Sequence, residues 1–425
     1  MESAAKIQDS TPVGNATGDG MRVSRDARQN STVNSSASIT PSAHGKMPQD
    51  MDLSNPITFW RGRVALYAIL KVLGVGTGDA VIVPGYTCFA VPSAVLFTGA
   101  EAIYADIDPS TFAVTRESLE QTTKAHPKAN VKAVIVQHTY GIPAETAPIV
   151  AWAHERGVFV IEDCAHVWGS TYLDESGNLV PVGTLGDAAF FSSQWTKPVS
   201  TGLGGWVVTR NPELSKQLRK FRAEECAAPS LLDAATLCIQ VSLRSLLASP
   251  RIYAAAKAAY QFLYSRGWIS GTSSKEELQG TIPSDYAKQM SGFQERLLKK
   301  RFRQQSLLDY RKKLKQIYDS ALKEAGMAEL CFASNSEAVL LRYPVRLSRK
   351  TEALQEAKRR GVELGDWYSQ PIDGPESLSV KSLGYTQGFC PEGERAGRTV
   401  VNLPMDIHVT ENSAREMVHW IKTFA

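Results

Sequence analysis

Short runs of apolar and β-branched residues alternate with helix-periodic segments from about residue 56 onward. Runs such as Ala80–Val83 and Val158–Ile161 are apolar at consecutive positions. Because a strand that is apolar throughout must be buried on both faces, these runs predict a mostly parallel sheet covered by helices on both sides. Helix-periodic segments, for example 64–73 and 147–155, supply that cover. The predicted fold is therefore α/β, with the sheet sandwiched by helices.

Composition divides the 425 residues into four segments. Residues 1–50 are rich in Ser, Thr, Asn and Gly and contain few large apolar side chains, so we expect a disordered tail. Residues 51–223 are predicted to form the large domain, and residues 224–283 a helical amphipathic insertion. Residues 284–425 are predicted to form a smaller C-terminal α+β domain.

Two elements of that smaller domain stand out in the sequence. The stretch 293–318 is strongly basic and predicts one long helix, and residues 338–345 predict a strand. The smaller domain is thus expected to mix helices with a short sheet.

The overall composition is ordinary for a soluble globular protein, with 43% hydrophobic and 21% charged residues. A net charge of +4 is spread along the chain, so nucleic acid is not an expected partner. The six cysteines show no C-x-x-C spacing, which predicts reduced thiols and a cytoplasmic location. His138 has no second ligand at metal spacing, and we expect no metal.

Lys197 lies between an apolar strand-like run and the glycine-rich turn 202–205. An amine in that place can form a Schiff base, and Ser192 precedes it at a spacing that suits a phosphate contact. Asp163 follows another apolar run, at the carboxyl end of a second predicted strand. Because ligands of parallel sheets bind at the carboxyl ends of strands, the three side chains predict a site for pyridoxal phosphate (PLP).

Plain structural interpretations exist for the same residues. Asp163 alone suits a turn cap, Ser192 a strand-end hydroxyl and Lys197 a solvated lysine. The glycine-rich run Gly74–Gly78 looks like a nucleotide loop, but it follows a helix and precedes a strand, so it predicts a helix stop.

Seven short motifs follow one another from about residue 60 to the C-terminus. They are Gly62–Leu66, Gly78–Thr87, Asp106–Pro109, His138–Ala144, Glu162–His166, Ser192–Lys197 and Asn402–Pro404. In this order the chain resembles the DegT/StrS family of PLP-dependent nucleotide-sugar aminotransferases, which belongs to the aspartate-aminotransferase superfamily of fold type I. The resemblance covers the chain apart from the insertion, and it rests on the order of motifs that are individually weak.

The resemblance implies roles for three residues around the cofactor ring. Lys197 would form the Schiff base with the cofactor and move the proton during transfer. Asp163 would pair with the pyridine nitrogen, which lets the ring accept electrons. His166 would contact the 3-hydroxyl of the ring.

The resemblance also implies a phosphate site, made by Ser192 and by the backbone amides of Gly62 and Arg63 at a helix N-terminus. Arg63 stands where the family has threonine, so a guanidinium replaces a hydroxyl there.

Two further positions depart from the family pattern. Cys88 stands where the family has an aromatic residue that stacks on the ring, with Tyr86 or Phe89 as substitutes. In the family, an Asn-Tyr pair from the neighbouring subunit contacts the phosphate. Asp285 stands in the corresponding segment of this chain, and an acid there would repel the phosphate.

The activity that the resemblance implies is transfer of an amino group from an amino acid, with glutamate expected, to a keto group of a nucleotide-linked sugar. Such products serve polysaccharide, lipopolysaccharide or secondary-metabolite biosynthesis. The family further implies a homodimer with its active sites at the subunit interface. A sugar dehydratase of the same family is disfavoured, because those enzymes have histidine at the position of Lys197. The altered positions 63, 88 and 285 leave open a regulatory or scaffold protein without turnover.

The insertion at 224–283 allows three interpretations. Charged residues interrupt every apolar run before about 18 residues, so the insertion is not expected to span a bilayer. Its basic and apolar residues suit peripheral contact with the inner face of a membrane through residues 230–275, a subunit interface, or a cap over the substrate pocket.

Overall fold

A computed structural model of the protein describes residues 56–173, 177–247, 274–283, 286–328, 336–375 and 378–425. The predicted tail at 1–50 lies outside this range. The strands are β1 (Ile57–Phe59), β2 (Ala80–Pro84), β3 (Thr87–Cys88), β4 (Glu101–Ala105), β5 (Val131–Gln137), β6 (Phe159–Asp163), β7 (Thr171–Leu173), β8 (Leu179–Pro181), β9 (Ala188–Ser192), β10 (Gly205–Val208), β11 (Ser336–Glu337), β12 (Tyr343–Arg346), β13 (Ile372–Asp373) and β14 (Val400–Leu403). The helices are α1 (Gly62–Val72), α2 (Ala90–Leu96), α3 (Arg116–Ala125), α4 (Thr146–His154), α5 (Pro212–Glu225), α6 (Leu231–Leu247), α7 (Lys275–Leu278), α8 (Gly292–Arg301), α9 (Ser306–Glu324), α10 (Lys350–Arg360), α11 (Pro391–Thr399) and α12 (Glu411–Ile421).

A seven-stranded sheet with the order β1-β10-β9-β6-β5-β2-β4 runs through the part of the chain that the structure describes. The strands from β9 to β4 are parallel, and β10 and β1 add antiparallel at one edge. Every residue of β6 is buried, in agreement with the apolar run Val158–Ile161 that forms its first part. The predicted α/β fold with a mostly parallel sheet is confirmed.

Helices pack on both faces of this sheet. One apolar layer joins α1, through Ile69, to the strands, and the other joins α4, through Trp152. Gly74 has a φ of 76° and follows the end of α1, so the predicted helix stop is confirmed. The sheet therefore has two covered faces, and its strand ends remain as the place for a site.

The C-terminal elements α9, α12, β12 and β14 share a third apolar core. The stretch predicted as one basic helix forms two, α8 and α9, which are separated by residues 302–305. At this break Phe302 stacks on Trp168 with ring centroids 4.9 Å apart. Of the predicted strand at 338–345, only residues 343–345 form a strand, as part of β12. Residues 339–341 pack against Gly141 instead. The boundaries of the two predicted domains stay a prediction.

Only the two ends of the insertion, α6 and α7, lie in the described range. The inner side of α6 packs on the turn after Lys197, where a Cβ added to Gly202 would lie 2.8 Å from Cγ2 of Val241. The outer side of α6 exposes apolar residues, and Leu232 is 77% exposed. No helix in the described part of the chain is long and apolar enough to cross a membrane. Contact with a membrane surface stays a prediction.

Candidate active site

One cavity is lined by all six residues that the sequence predicts for the site. They are Gly62, Arg63, Asp163, His166, Ser192 and Lys197. The side chains of Cys88, Gln137 and Tyr368 line the same cavity. The carboxyl ends of β5, β6 and β9 lie side by side, which is how residues far apart in sequence meet there.

Two glycines let the start of α1 approach the sheet. A Cβ added to Gly205 of β10 would lie 2.4 Å from Cα of Gly62, and a Cβ added to Gly62 would lie 2.9 Å from Cβ of Ser192. Neither position has room for a side chain. The first backbone amides of α1 therefore lie beside the Ser192 hydroxyl, and a helix N-terminus with a hydroxyl next to it suits an anion.

Glu277 of α7 joins the insertion to this end of the cavity. Its carboxylate accepts hydrogen bonds from Nη1 of Arg63 at 2.8 Å and from Nη1 of Arg61 at 3.2 Å, while only 1% of its side chain is exposed. The backbone N–H of Ser274 donates to the same carboxylate at 2.8 Å. Glu277 thus fixes two guanidinium groups beside the first turn of α1.

Glu162 anchors β6 just before the predicted acid Asp163. It accepts five hydrogen bonds, from the backbone N–H groups of Gly183, Leu185 and Gly186, the hydroxyl of Tyr172 and Nε2 of His138. Burial raises the pKa of Glu162, but the hydrogen bonds from His138 and the other donors outweigh it and leave the pKa below its ordinary value. The carboxylate is therefore charged and fully used in holding the strand.

His138, Glu162 and Cys164 lie close enough together to hold a metal ion. Both oxygens of Glu162 already face N–H and O–H donors. Nδ1 of His138 accepts from the backbone N–H of Ala144 at 3.0 Å, so Nε2 carries the proton that it donates to Glu162. The cluster is a satisfied hydrogen-bond network, and it holds β6 and the site in register.

The Asp163 carboxyl is buried at the end of β6 and accepts one hydrogen bond, from the backbone N–H of Ala165 at 2.9 Å. Burial raises its pKa to about 6, an effect that this hydrogen bond and the charge of Lys197 partly offset. An acid so placed is stabilised in its charged form when a cation comes close to it.

The Lys197 side chain lies against the ring of Trp367, with Nζ 4.9 Å from the ring centroid. Burial lowers its pKa to about 8, with Cys88 and Asp163 acting in the opposite direction. A lysine with this pKa supplies far more neutral amine near pH 7 than a solvated lysine does. Lys197 lines the cavity and is partly exposed, and its role in the site stays a prediction.

His166 is buried between backbone and aromatic groups. Its Nδ1 accepts from the backbone N–H of Tyr140 at 3.2 Å, so Nε2 carries the proton and donates to the hydroxyl of Tyr368 at 3.3 Å. Its ring stacks on that of Trp367 at 5.4 Å with an interplanar angle of 6°. Burial holds the pKa of His166 well below its ordinary range, and the charges of Lys197 and Arg342 add to this effect. The imidazole is neutral at pH 7.

The positions that depart from the family pattern are placed as follows. Cys88 lines the cavity, whereas Tyr86 is buried with its hydroxyl 2.7 Å from that of Tyr140. Phe89 packs under the guanidinium of Arg63, which is 5.4 Å from its ring centroid. Asp285 lies outside the described residues. The residue that stacks on the cofactor ring stays a prediction.

Sequence reasoning missed four residues of this region: Glu277, Arg342, Trp367 and Tyr368. Glu277 carries a local signal, because Ser274 and Glu277 form the S-x-x-E spacing of a capping box. That signal predicts a helix start but not its contact with α1. The other three follow or precede short strands without a recognisable motif.

Comparisons with known proteins identify the family. The model of the DegT/DnrJ/EryC1/StrS aminotransferase family matches residues 51–234 and 274–422. The chain belongs to this family. Residues 235–273, between the two matched ranges, lie within the predicted insertion. The family recognition made from the motifs is confirmed.

Individual relatives show how far the likeness extends. A GDP-perosamine synthase of Escherichia coli O157:H7 is 34% identical over 197 residues, which are 46% of this chain and about half, 51%, of that relative. A pleiotropic regulatory protein of Geobacillus stearothermophilus is 27% identical over 85% of this chain and 83% of its own length. A structure from Streptococcus pneumoniae, named as a sugar aminotransferase in its PLP form, has a TM-score of 0.65 at 21% identity, with 87% of this chain and 86% of that chain covered. It supports the fold, and its PLP form agrees with the expected cofactor of the family.

Proposed function

We propose that the protein is a PLP-dependent aminotransferase that moves an amino group from an amino acid to the keto group of a nucleotide-linked sugar. The observation that carries the proposal is the meeting of Lys197, Asp163 and the first turn of α1 in one cavity. Lys197 is a lysine whose pKa is lowered by burial, Asp163 is a buried acid, and the turn is an anion site. Chemistry on a phosphorylated pyridine aldehyde needs these three groups.

The residues of the cavity fit this cofactor. Because Gly62 has no side chain, the first turn of α1 lies close to Ser192. A phosphate at this turn would accept hydrogen bonds from the Ser192 hydroxyl and from the amides of α1. Asp163 would hold the ring nitrogen, because its buried carboxyl gains from a cationic partner. Pyridoxal phosphate, when bound, supplies an aldehyde that condenses with amines and a ring that accepts the electron pair left when a proton is removed.

The protein residues then have defined tasks. Nζ of Lys197 would take and return the proton at the carbon that carries the amine, and its lowered pKa raises the fraction of neutral amine available for that step. His166, held by the backbone of Tyr140, presents a neutral ring to the cofactor hydroxyl. The ring of Trp367 lies over Nζ of Lys197 and would shield the amine from water.

Family membership and the E. coli relative support the nucleotide-sugar acceptor, since that relative is named GDP-perosamine synthase. Glutamate is the proposed donor, and the products would enter polysaccharide, lipopolysaccharide or secondary-metabolite biosynthesis.

The proposal includes a cytoplasmic homodimer with active sites at the subunit interface. Light scattering after size-exclusion chromatography measures the dimer, and a monomeric mass would contradict it.

Incubation of the purified protein with PLP, L-glutamate and a panel of nucleotide keto-sugars tests the activity. The expected result is 2-oxoglutarate in amounts equal to the amino sugar formed, and no product with the variant Lys197→Ala. A dehydrated sugar without 2-oxoglutarate would instead indicate the dehydratase, which the presence of Lys197 disfavours.

A regulatory protein without turnover is the second candidate. The relative from G. stearothermophilus, which is named a pleiotropic regulatory protein, matches most of both chains. The same incubation separates the candidates: PLP binding without any amino transfer across the panel favours the regulatory protein.

A further inference from the structure

The outer side of α6 carries a stripe of exposed apolar residues. Leu232, Ile239 and Leu243 are separated by seven and four residues, which is the spacing of one helix face. Ile239 is 66% exposed, and Leu231 at the start of the helix is 91% exposed. Nine large hydrophobic residues are exposed in the described part of the chain, and four of them are in this one helix. Single exposed apolar residues are ordinary, but a stripe of them indicates a surface that binds something.

The inner side of α6 is already occupied by the protein itself. Leu237 and Val241 lie on this side and form an apolar cluster with Trp60, Trp195 and Leu203. Leu203 also lines the cavity, so α6 supports the wall of the cavity from behind. The exposed stripe is on the opposite side of the helix and faces away from the cavity. It is therefore not a cap over the substrate pocket of the same chain.

The charge of the insertion indicates what the stripe binds. Residues 234–275 contain no Asp or Glu, although 43 of all 425 residues are acidic. The same residues include five cations, which are Arg244, Arg251, Lys257, Arg266 and Lys275. Three of these, at 251, 257 and 266, lie outside the described residues and contribute here by their charge alone. Asp233, the acid of α6, faces Nζ of Lys288 at 3.1 Å. An apolar helix face with cations and no free acid beside it suits a surface of anionic lipid.

The charge disfavours a second copy of the chain as the occupant of this face. In a symmetric pair the same surface meets itself, so the cationic segments of both copies would come together and repel each other. A membrane with anionic lipid instead offers opposite charge to the cations and an apolar interior to the stripe.

We propose that the outer side of α6 binds the surface of a membrane that contains anionic lipid. Leu231, Leu232, Ile239 and Leu243 would enter the boundary between headgroups and acyl chains, and the cations would lie at the lipid phosphates. A helix is about 10 Å across, so the bound protein would hold the cavity wall that α6 supports close to the membrane. The proposal is independent of the proposed activity, because binding needs no turnover.

Cosedimentation with lipid vesicles tests the role of charge. The full-length protein, loaded with PLP, is mixed with vesicles of phosphatidylglycerol and phosphatidylcholine in equal parts, or with vesicles of phosphatidylcholine alone. We expect the protein to sediment with the anionic vesicles, to bind the neutral vesicles more weakly, and to leave the anionic vesicles at high salt. Equal binding to both kinds of vesicle, or no binding to either, would overturn the proposal.

Two matched double variants test the role of the stripe. Leu232→Gln with Ile239→Gln removes two exposed apolar side chains from α6 and is expected to bind the anionic vesicles at least about 10-fold more weakly than wild type. Leu179→Gln with Ile407→Gln changes two residues of similar exposure, 50% and 62%, elsewhere on the surface and should bind as wild type does. Equal binding of the two double variants would overturn the proposal. Light scattering detects the rival occupant: a smaller mass of the α6 double variant, with no vesicle binding by wild type, would assign this face to a second copy of the chain.

Discussion

The substitution Glu277→Gln tests whether the end of the insertion holds the first turn of α1. Oε1 of Glu277 accepts from Arg63, and Oε2 accepts from Arg61 and from the backbone N–H of Ser274. Glutamine replaces one of the two oxygens with an NH2 group, which must then face another donor. Because only 1% of the Glu277 side chain is exposed, water does not supply the missing acceptor.

The expected loss follows from these contacts. At least one hydrogen bond to a charged group is lost, which costs about 1.5–3 kcal/mol. Arg61 and Arg63 then face a neutral amide in place of a carboxylate. Complete removal of one member of a buried ion pair costs about 3–5 kcal/mol, which sets the upper end. We therefore expect the free energy of unfolding to fall by about 2–4 kcal/mol. The affinity for PLP should fall as well, because both arginines line the cavity.

Urea unfolding of Glu277→Gln and of the control Glu276→Gln measures this loss. The control changes an exposed residue of the same short helix and is expected to stay within about 0.5 kcal/mol of wild type. If the two variants unfold at the same urea concentration, the reasoning about Glu277 is refuted.

Two further predictions concern the cavity. Gly62→Ala is expected to lower the free energy of unfolding by about 1–3 kcal/mol and to weaken PLP binding, because its Cβ would lie 2.9 Å from Cβ of Ser192. Gly76→Ala, whose Cβ would come no closer than 3.8 Å to another atom, should be neutral, and equal urea midpoints for the two variants would count against the close approach of α1. In cofactor-free protein the Lys197 amine should react with an amine reagent at half its maximal rate near pH 8, whereas a midpoint near 10.5 would exclude the lowered pKa. Since the unfolded chain binds the extra proton between these pH values, the contribution of Lys197 to stability should rise with pH from about 8 to 10.5.

The sheet and three of the six predicted cavity residues, Asp163, Ser192 and Lys197, could be predicted from local sequence. Runs such as Val158–Ile161 are apolar without interruption, and the rule that ligands lie at the carboxyl ends of parallel strands then places Asp163 and Ser192 together. The resemblance added Gly62, Arg63 and His166. None of these steps needed contacts between distant side chains.

The remaining contacts depend on tertiary packing, which sequence patterns do not encode. Glu277 lies near the end of the insertion, and its link to Arg61 and Arg63 spans more than 200 residues. Trp367 and Arg342 contact each other across two separate segments of the C-terminal part. The predicted strand at 338–345 is shorter than its apolar run, because a Cβ on Gly141 would lie 2.5 Å from the carbonyl oxygen of Val339, and this close packing keeps residues 339–341 outside the sheet.

The covalent attachment of PLP to Lys197 is the most direct test of the proposed function. PLP-loaded protein is treated with borohydride, which fixes the link between the cofactor and its amine, and the modified peptide is then located by mass spectrometry. The expected result is one phosphopyridoxyl group per chain on Lys197, and none in Lys197→Ala. A label on a different lysine, or no label in wild-type protein that has been saturated with PLP, would contradict the account.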